Sequence, residues 1–148
     1  MTVFIGADHR GHEMKNALID YLHEKNIRVE DLGNYNYERG DDYPDYAHKV
    51  AMAVLQHPQE YLGIVICGSG IGVSVAANRY KGIRCALAFT VDQVKHGRER
   101  DQANIIALPA DYITLDQAKQ LVDTFLDTQP LQEERDIRRI AKIEVTQR

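Results

Sequence analysis

Cysteine is scarce in this sequence, and long apolar runs are absent. Only Cys67 and Cys85 occur in 148 residues, and neither belongs to a CxxC pair or to another spacing typical of metal ligands. A disulfide scaffold and a zinc site are therefore not expected. No apolar run approaches the roughly 18 residues that a membrane span needs, and the first residues lack the basic and apolar regions of a secretion signal. These absences predict a cytoplasmic protein with reduced thiols and no membrane partner.

An excess of positive charge is lacking too. The formal net charge of -4 argues against a broad electrostatic attraction to nucleic acid or to anionic lipid. Any anionic ligand must therefore be held by a local cluster of groups. Hydrophobic residues make up 44% of the chain, which is enough to form a core. The length fits a single domain over residues 1–148.

Short apolar runs rich in β-formers alternate with amphipathic stretches along the chain. The predicted strands are Thr2–Ala7, Ile27–Leu32, Leu62–Cys67, Ile83–Phe89 and Ala103–Leu108. The predicted helices are Glu13–Glu24, Tyr43–Gln56, Gly72–Asn78, Asp92–Arg100, Leu115–Leu126 and an extra C-terminal helix, Glu133–Val145. Apolar strands joined by helices are typical of a parallel sheet that is covered on both faces. The predicted fold class is therefore α/β, a three-layer α/β/α domain with a five-stranded parallel sheet.

The strongest local motif follows the third predicted strand, where Cys67 is followed by Gly-Ser-Gly-Ile-Gly, ending at Gly72. Ligands of open parallel sheets bind at the carboxyl ends of the strands. Three glycines at a strand-to-helix turn leave backbone N–H groups accessible to an oxyanion, and such amides favour a neighbouring thiolate. A tight turn with a buried cysteine is the structural alternative. The dinucleotide fingerprint fits poorly, because position 73 is Val and the loop follows the third strand.

Other candidate residues lie at the end of the first strand and in the tail. Asp8 could hold a sugar hydroxyl or cap the next helix, and His9 could bind an anion or transfer protons. His9 and His12 have no third ligand at a useful spacing, so no metal is predicted. Arg135 and Arg139 share a helix face and could hold a phosphate, or could form a solvated face with neighbouring glutamates.

Four segments carry a more specific signal: Gly6–Gly11, Asp42–Tyr46, Gly63–Asn78 and Gly82–Arg84. Together they resemble the type B ribose-5-phosphate isomerase family, which includes galactose-6-phosphate isomerase subunits, over nearly the whole chain. The resemblance implies a Rossmann-like fold and a homodimer or homotetramer with its active site between subunits. It also implies a sugar-phosphate substrate, no cofactor, and proton transfer through a cis-enediolate.

The resemblance implies roles for the residues of the glycine loop. Cys67 corresponds to the base that takes a proton from the carbon next to the carbonyl. Ser69 corresponds to a hydroxyl that forms hydrogen bonds near the reacting oxygens. The loop whose amides stabilise the enediolate corresponds to Gly68, Gly70, Ile71 and Gly72.

The remaining substrate contacts are implied in the same way. Asp8 and His9 correspond to residues that contact the sugar and the phosphate. Arg135 and Arg139 correspond to tail arginines that hold the phosphate, which favours the functional interpretation of that helix.

Two segments depart from the family pattern. Before the fifth strand the family commonly carries Arg-Glu-His-Asn, with the histidine thought to open the sugar ring. Here Arg100 takes the place of the histidine and Asp101 takes the place of the asparagine. A few residues later, Asp111 replaces a substrate-facing arginine. The proton-transfer half of the site is therefore expected to be intact, and the ring-opening half to be altered.

Three functions remain open at this point. The chain could be an isomerase of five- or six-carbon aldose phosphates, with ribose 5-phosphate as the default substrate. It could be one subunit of a hetero-oligomeric isomerase of the galactose-6-phosphate type, in which a paralogous chain supplies the missing histidine. It could also bind sugar phosphates without turnover, which only the altered segment 100–111 favours.

Overall fold

The computed structural model describes residues 1–145 and contains a five-stranded, fully parallel sheet in the order β2-β1-β3-β5-β4. The strands are β1 (Thr2–Ala7), β2 (Arg28–Asp31), β3 (Tyr61–Cys67), β4 (Cys85–Leu87) and β5 (Ile105–Pro109). The helices are α1 (His12–Glu24), α2 (Tyr43–Val54), α3 (Ile71–Ala77), α4 (Val91–Arg100), α5 (Leu115–Asp127) and α6 (Glu134–Ile143). The predicted Rossmann-like class and the extra C-terminal helix are thereby confirmed.

The helices form one layer on each face of the sheet, and each layer has its own apolar core. On one face, Ile5 and Ile64 pack with Leu18 of α1 and Phe125 of α5. On the other face, Val65 packs with residues of α2 and α3. Side chains of successive strand residues point to opposite faces, so a strand that is apolar throughout supplies both cores.

The two edge strands are shorter than the sequence predicted. β2 covers Arg28–Asp31 and β4 covers only Cys85–Leu87, whereas the central strands match within about a residue at most ends. An edge strand pairs on one side only, so fewer backbone groups keep its ends extended. Thr114 begins α5 with a full capping box, in which it bonds reciprocally with Gln117.

Helix α6 differs from the others because its only buried residue is Asp136. Its apolar side chains Ile137 and Ile143 are exposed. Charged contacts therefore hold this helix to the rest of the chain. No helix within residues 1–145 has the length and apolar character needed to cross a membrane.

Candidate active site

A cavity of about 350 Å³ opens at the carboxyl ends of β1 and β3. Its lining residues come from the loop after β1, the start of α2, and the turn between β3 and α3: Asp8, Arg10, Tyr43, Cys67, Gly68, Ser69, Ile71 and Gly72. This is the edge of the sheet where a ligand is expected in an open α/β fold. Most residues predicted from the glycine motif therefore lie around one cavity.

At two positions of the loop after β3 only glycine fits, one because of its backbone conformation and the other because of the side chains that lie against it. Gly70 has a φ of +71°, a left-handed conformation that residues with a Cβ rarely adopt. A Cβ on Gly68 would overlap the guanidinium of Arg10 and would lie 2.6 Å from Asp111 Oδ2. The loop backbone is therefore in direct contact with the two charged side chains at the cavity mouth.

Cys67 is almost fully buried, with 5% of its surface exposed, at the base of this cavity. The amide of Gly70 donates a hydrogen bond to its Sγ at 3.2 Å. The amide of Ile71 donates to Ser69 Oγ at 3.1 Å. Two of the amides expected to face a ligand therefore already bind side chains of the loop. An N–H group directed at sulfur stabilises the negative charge of a thiolate.

Asp8 lines this cavity and His9 is the next residue in the chain, and each has partners within the protein. Oδ1 of Asp8 accepts hydrogen bonds from the amides of Arg10 and Gly11, at 3.0 and 3.2 Å. Asp8 thus fixes the turn before α1 and also borders the cavity. The alternative that Asp8 caps α1 is wrong, because the N-cap of this helix is Gly11 and no side chain caps it. Burial raises the pKa of Asp8, while these two hydrogen bonds oppose that change.

His9 is oriented by Asp41, which the sequence did not predict. Nδ1 of His9 lies 2.7 Å from Asp41 Oδ1, and the amide of His9 donates to the same oxygen at 3.0 Å. Burial alone would raise the pKa of Asp41, but hydrogen bonds from His9, Tyr46 and Asn34 hold it below its ordinary value. With Nδ1 bound to Asp41, Nε2 of His9 is the nitrogen left for a ligand.

Asp41 also corrects one premise of the metal prediction. It supplies a third possible ligand beside Asp8 and His9, and the candidate ligand atoms lie within 4.8 Å of one another. His9 Nδ1 and the carboxylate oxygens are already engaged in hydrogen bonds within the protein. That no metal is bound stays a prediction. Asp41 could not be identified from spacing, because it lies 32 residues from His9 in a polar loop.

Arg10 and Asp111 form an ion pair across Gly68. Asp111 directly follows β5, the neighbour of β3, and its amide donates to the carbonyl of Gly68 at 3.0 Å. The sequence placed Asp111 at a substrate-facing position, and the structure places it beside Arg10, where it lines a second cavity that shares Arg10 with the Cys67 cavity.

Arg100, Asp101, Arg135 and Arg139 do not join this cavity. Arg100 ends α4, the helix that leads back to the start of β5, whereas Cys67 ends β3. Because all strands are parallel, the two groups lie at opposite ends of the sheet. A strand of five to seven residues spans about 15–20 Å, which no side chain bridges.

The distant group is organised around the buried carboxylate of Asp136. Arg100 Nη1 lies 3.0 Å from Asp136 and 2.8 Å from Glu133. Arg135 Nε lies 3.5 Å from Asp136, and Arg139 Nη1 lies 3.9 Å from it. Three guanidinium groups therefore converge on one carboxylate. This arrangement leaves a local excess of positive charge at the surface of α6.

Asp101, the other altered residue, follows α4 directly. Its carbonyl accepts a hydrogen bond from Arg84 Nε at 2.9 Å, while the residue itself is exposed. Its carboxylate therefore lies near the end of the sheet that carries Arg100.

Comparison with known proteins gives one consistent result. A family model described as Ribose/Galactose Isomerase matches residues 3–143. The ribose-5-phosphate isomerase B of Mycobacterium tuberculosis is 37% identical over 140 residues, which cover 95% of this chain and 86% of that protein. The structure of a ribose 5-phosphate isomerase of Thermotoga maritima is 44% identical, with a TM-score of 0.91 and 97% of each chain covered. The structure of ribose-5-phosphate isomerase B of Mycoplasma genitalium with bound ribulose-5-phosphate is 37% identical, with a TM-score of 0.92, and covers 97% of this chain and 93% of that one.

Proposed function

Because the chain belongs to the ribose/galactose isomerase family, we propose that it is a cofactor-free aldose-ketose isomerase that interconverts ribose 5-phosphate and ribulose 5-phosphate. The observation that carries this proposal is the buried thiol of Cys67, which receives the Gly70 amide at the base of a cavity at the strand ends. Proton transfer between neighbouring carbons needs such a positioned base and donors for the developing oxyanion.

Cys67 is the base in this mechanism. Its thiolate takes the proton from C2 of the open-chain aldose, and the electrons shift to form a cis-enediolate. The thiol then returns the proton to C1, while the hydroxyl proton of O2 is transferred to O1, so that O2 becomes the carbonyl oxygen of the ketose. The hydroxyl of Ser69 and the loop amides lie beside the reacting oxygens and stabilise their charge. No electrons leave the substrate, so the reaction needs no redox cofactor.

Asp8 and His9 bind the rest of the sugar. The carboxylate of Asp8 lines the cavity and can accept a hydrogen bond from a hydroxyl of the sugar. His9 is held by Asp41 through Nδ1, which leaves its other ring nitrogen to bind the ligand. Asp41 is therefore a positioning residue for His9.

Arg135 and Arg139 contribute from a second copy of the chain. Within one chain they lie at the end of the sheet opposite Cys67, so they can reach a substrate only in a neighbouring subunit. Exposed apolar residues lie beside both half-sites, Ile71 and Val75 on α3 and Ile137 on α6. We propose a homodimer as the active unit, either alone or within a homotetramer.

Arg100 and Asp101 reach the partner's site with the tail arginines. A guanidinium stays protonated at any working pH, so Arg100 donates hydrogen bonds and cannot act as the acid and base of ring opening. A cyclic aldose phosphate must then open without that help. We therefore expect the open-chain sugar to be the form that reacts well.

A hetero-oligomer is the second candidate. The altered residues Arg100 and Asp101 belong to the half-site that a partner subunit supplies. A paralogous chain with a histidine at that position would complete the site around Cys67, and its substrate could then be a hexose phosphate.

A base that is a free thiol needs a reducing environment. We therefore place the protein in the cytoplasm, acting as a single domain of residues 1–148.

The test is an isomerase assay of the purified chain over pentose and hexose phosphates, with two cysteine variants. Cys67→Ala should lower kcat at least about a hundredfold, because a positioned base contributes that much or more. Cys85→Ala is the matched control, since burial raises the pKa of Cys85 to about 12, although part of the residue is accessible on β4. Activity of Cys67→Ala above about a tenth of wild type would rule out the base.

A further inference from the structure

We propose that Arg10 is a further substrate-binding residue, whose guanidinium binds the phosphate group of the substrate, and that Asp111 is the residue that positions it. This inference rests on the proposed function, because it takes the ligand to be a sugar phosphate. Neither residue belongs to the glycine loop or to the arginines of α6.

The location of the guanidinium is the first support. It lies against the backbone of Gly68, so closely that a Cβ at that position would overlap it. Gly68 is the residue after Cys67, and Arg10 lines the same cavity as Cys67 and Ser69. A positive charge is therefore fixed within one residue of the proposed base, at the mouth of the cavity.

The backbone around this ion pair is held from both sides. The amide of Arg10 donates to the buried carboxylate of Asp8 at 3.0 Å. The amide of Asp111 donates to the carbonyl of Gly68 at 3.0 Å. The two side chains therefore project from fixed points of the site, and their pairing places the guanidinium without help from a mobile loop.

The guanidinium also has unused hydrogen-bonding capacity. Arginine carries five N–H donors, and within residues 1–145 the one side-chain partner of Arg10 is Asp111. The Arg10 side chain is 57% exposed and lines two cavities, so its other donors are accessible to a ligand. One is the Cys67 cavity, and the other is a neighbouring cavity of about 360 Å³.

The negative charges around Arg10 indicate that it binds the phosphate group of the substrate and not a sugar hydroxyl. The guanidinium is paired with Asp111, and the two cavities that Arg10 lines also contain the carboxylates of the buried Asp8 and of Glu13. A hydroxyl cannot compete with Asp111 for the guanidinium. A phosphate carries more charge than a carboxylate and accepts two parallel N–H bonds, so it can share or replace that partner.

Direct binding of inorganic phosphate, followed by calorimetry, tests this inference without turnover, and steady-state kinetics with ribose 5-phosphate complete the test. Arg10→Leu should weaken phosphate binding and raise KM about tenfold or more, with kcat within about twofold of wild type. Arg28→Leu is the matched control, because Arg28 is also exposed and paired with a carboxylate, Glu30, but lies at the opposite end of the sheet.

A charge exchange supplies the second readout. Arg10→Asp should bind phosphate more weakly than Arg10→Leu, and adding Asp111→Arg should restore binding, because the guanidinium returns to the same place from the other side. Wild-type phosphate affinity and KM in Arg10→Leu would overturn the inference. Phosphate affinity of the double variant no better than that of Arg10→Asp would also overturn it. A wild type that binds phosphate but isomerises no aldose phosphate would instead refute the proposed function.

Discussion

The guanidinium of Arg100 stands where the family carries its ring-opening histidine, and the structure gives it two carboxylate partners. The hydrogen bond to Asp136, followed by that to Glu133, raises its pKa above the ordinary value. Arg100 therefore forms ion pairs with two carboxylates, and a histidine, which is largely neutral near pH 7, would form them only weakly. We therefore expect the arginine to attach α6 through these ion pairs and to transfer no proton.

Replacement of this residue tests the exchange. Arg100→His should raise kcat with saturating ribose 5-phosphate about tenfold or more, because a general acid-base group contributes on that scale. The gain should be smaller with ribulose 5-phosphate, which needs no ring opening. The double variant Arg100→His, Asp101→Asn should keep the gain with ribose 5-phosphate. Arg100→Gln is the control, since it also loses the ion pairs but cannot transfer a proton. Equal kcat values for the His and Gln variants would point to another acid, either Asp101 or His96, which lies one helical turn before Arg100 on α4.

Among the elements, the central strands were the most predictable. β1, β3 and β5 are apolar along their length and paired on both sides, so hydrophobicity and tertiary structure favour the same residues. The edge strands and the ion pairs were not predictable to the same degree. Arg10 and Asp111 are 101 residues apart, and only the strand order brings them together.

The candidate site was predictable in composition but not in arrangement. The glycine motif identified Cys67 and its loop because three glycines in five residues leave a local pattern. Asp41 left no such pattern, since its partner His9 is distant in sequence. The sequence also did not reveal by itself that Arg135 and Arg139 lie at the other end of the sheet.

Helix α6 depends on Asp136 for its position. Asp136→Asn keeps the shape of the side chain but removes the charge that three arginines share, so it should destabilise the protein by about 1–3 kcal/mol. Urea unfolding measures the loss, and hydrogen exchange should become faster in α6 than in the sheet. Glu134→Gln, an exposed change on the same turn, is the control. Equal stability of the two variants would contradict this role.

For the whole molecule, the separation of Cys67 from the arginines allows a complementation test. Cys67→Ala and the double variant Arg135→Ala, Arg139→Ala should each be nearly inactive at low substrate concentration. When the two variants are refolded together in equal amounts, about half of the dimers are hybrids. Each hybrid has one intact site of two, so the activity should recover to about a quarter of wild type. A mixture of Cys67→Ala with Ser69→Ala should show no recovery, because both changes affect the same half-site. Equal recovery in the two mixtures would refute the shared site.

The placement of the thiol and the guanidinium groups at opposite ends of one sheet links catalysis to the abundance of the protein. In the proposed dimer each site is shared, so a separated chain would hold half of each of two sites and complete neither. Below the dissociation constant of the proposed dimer, the amount of assembled enzyme rises with the square of the chain concentration. A cell that lowers expression of this chain therefore loses isomerase flux faster than it loses protein.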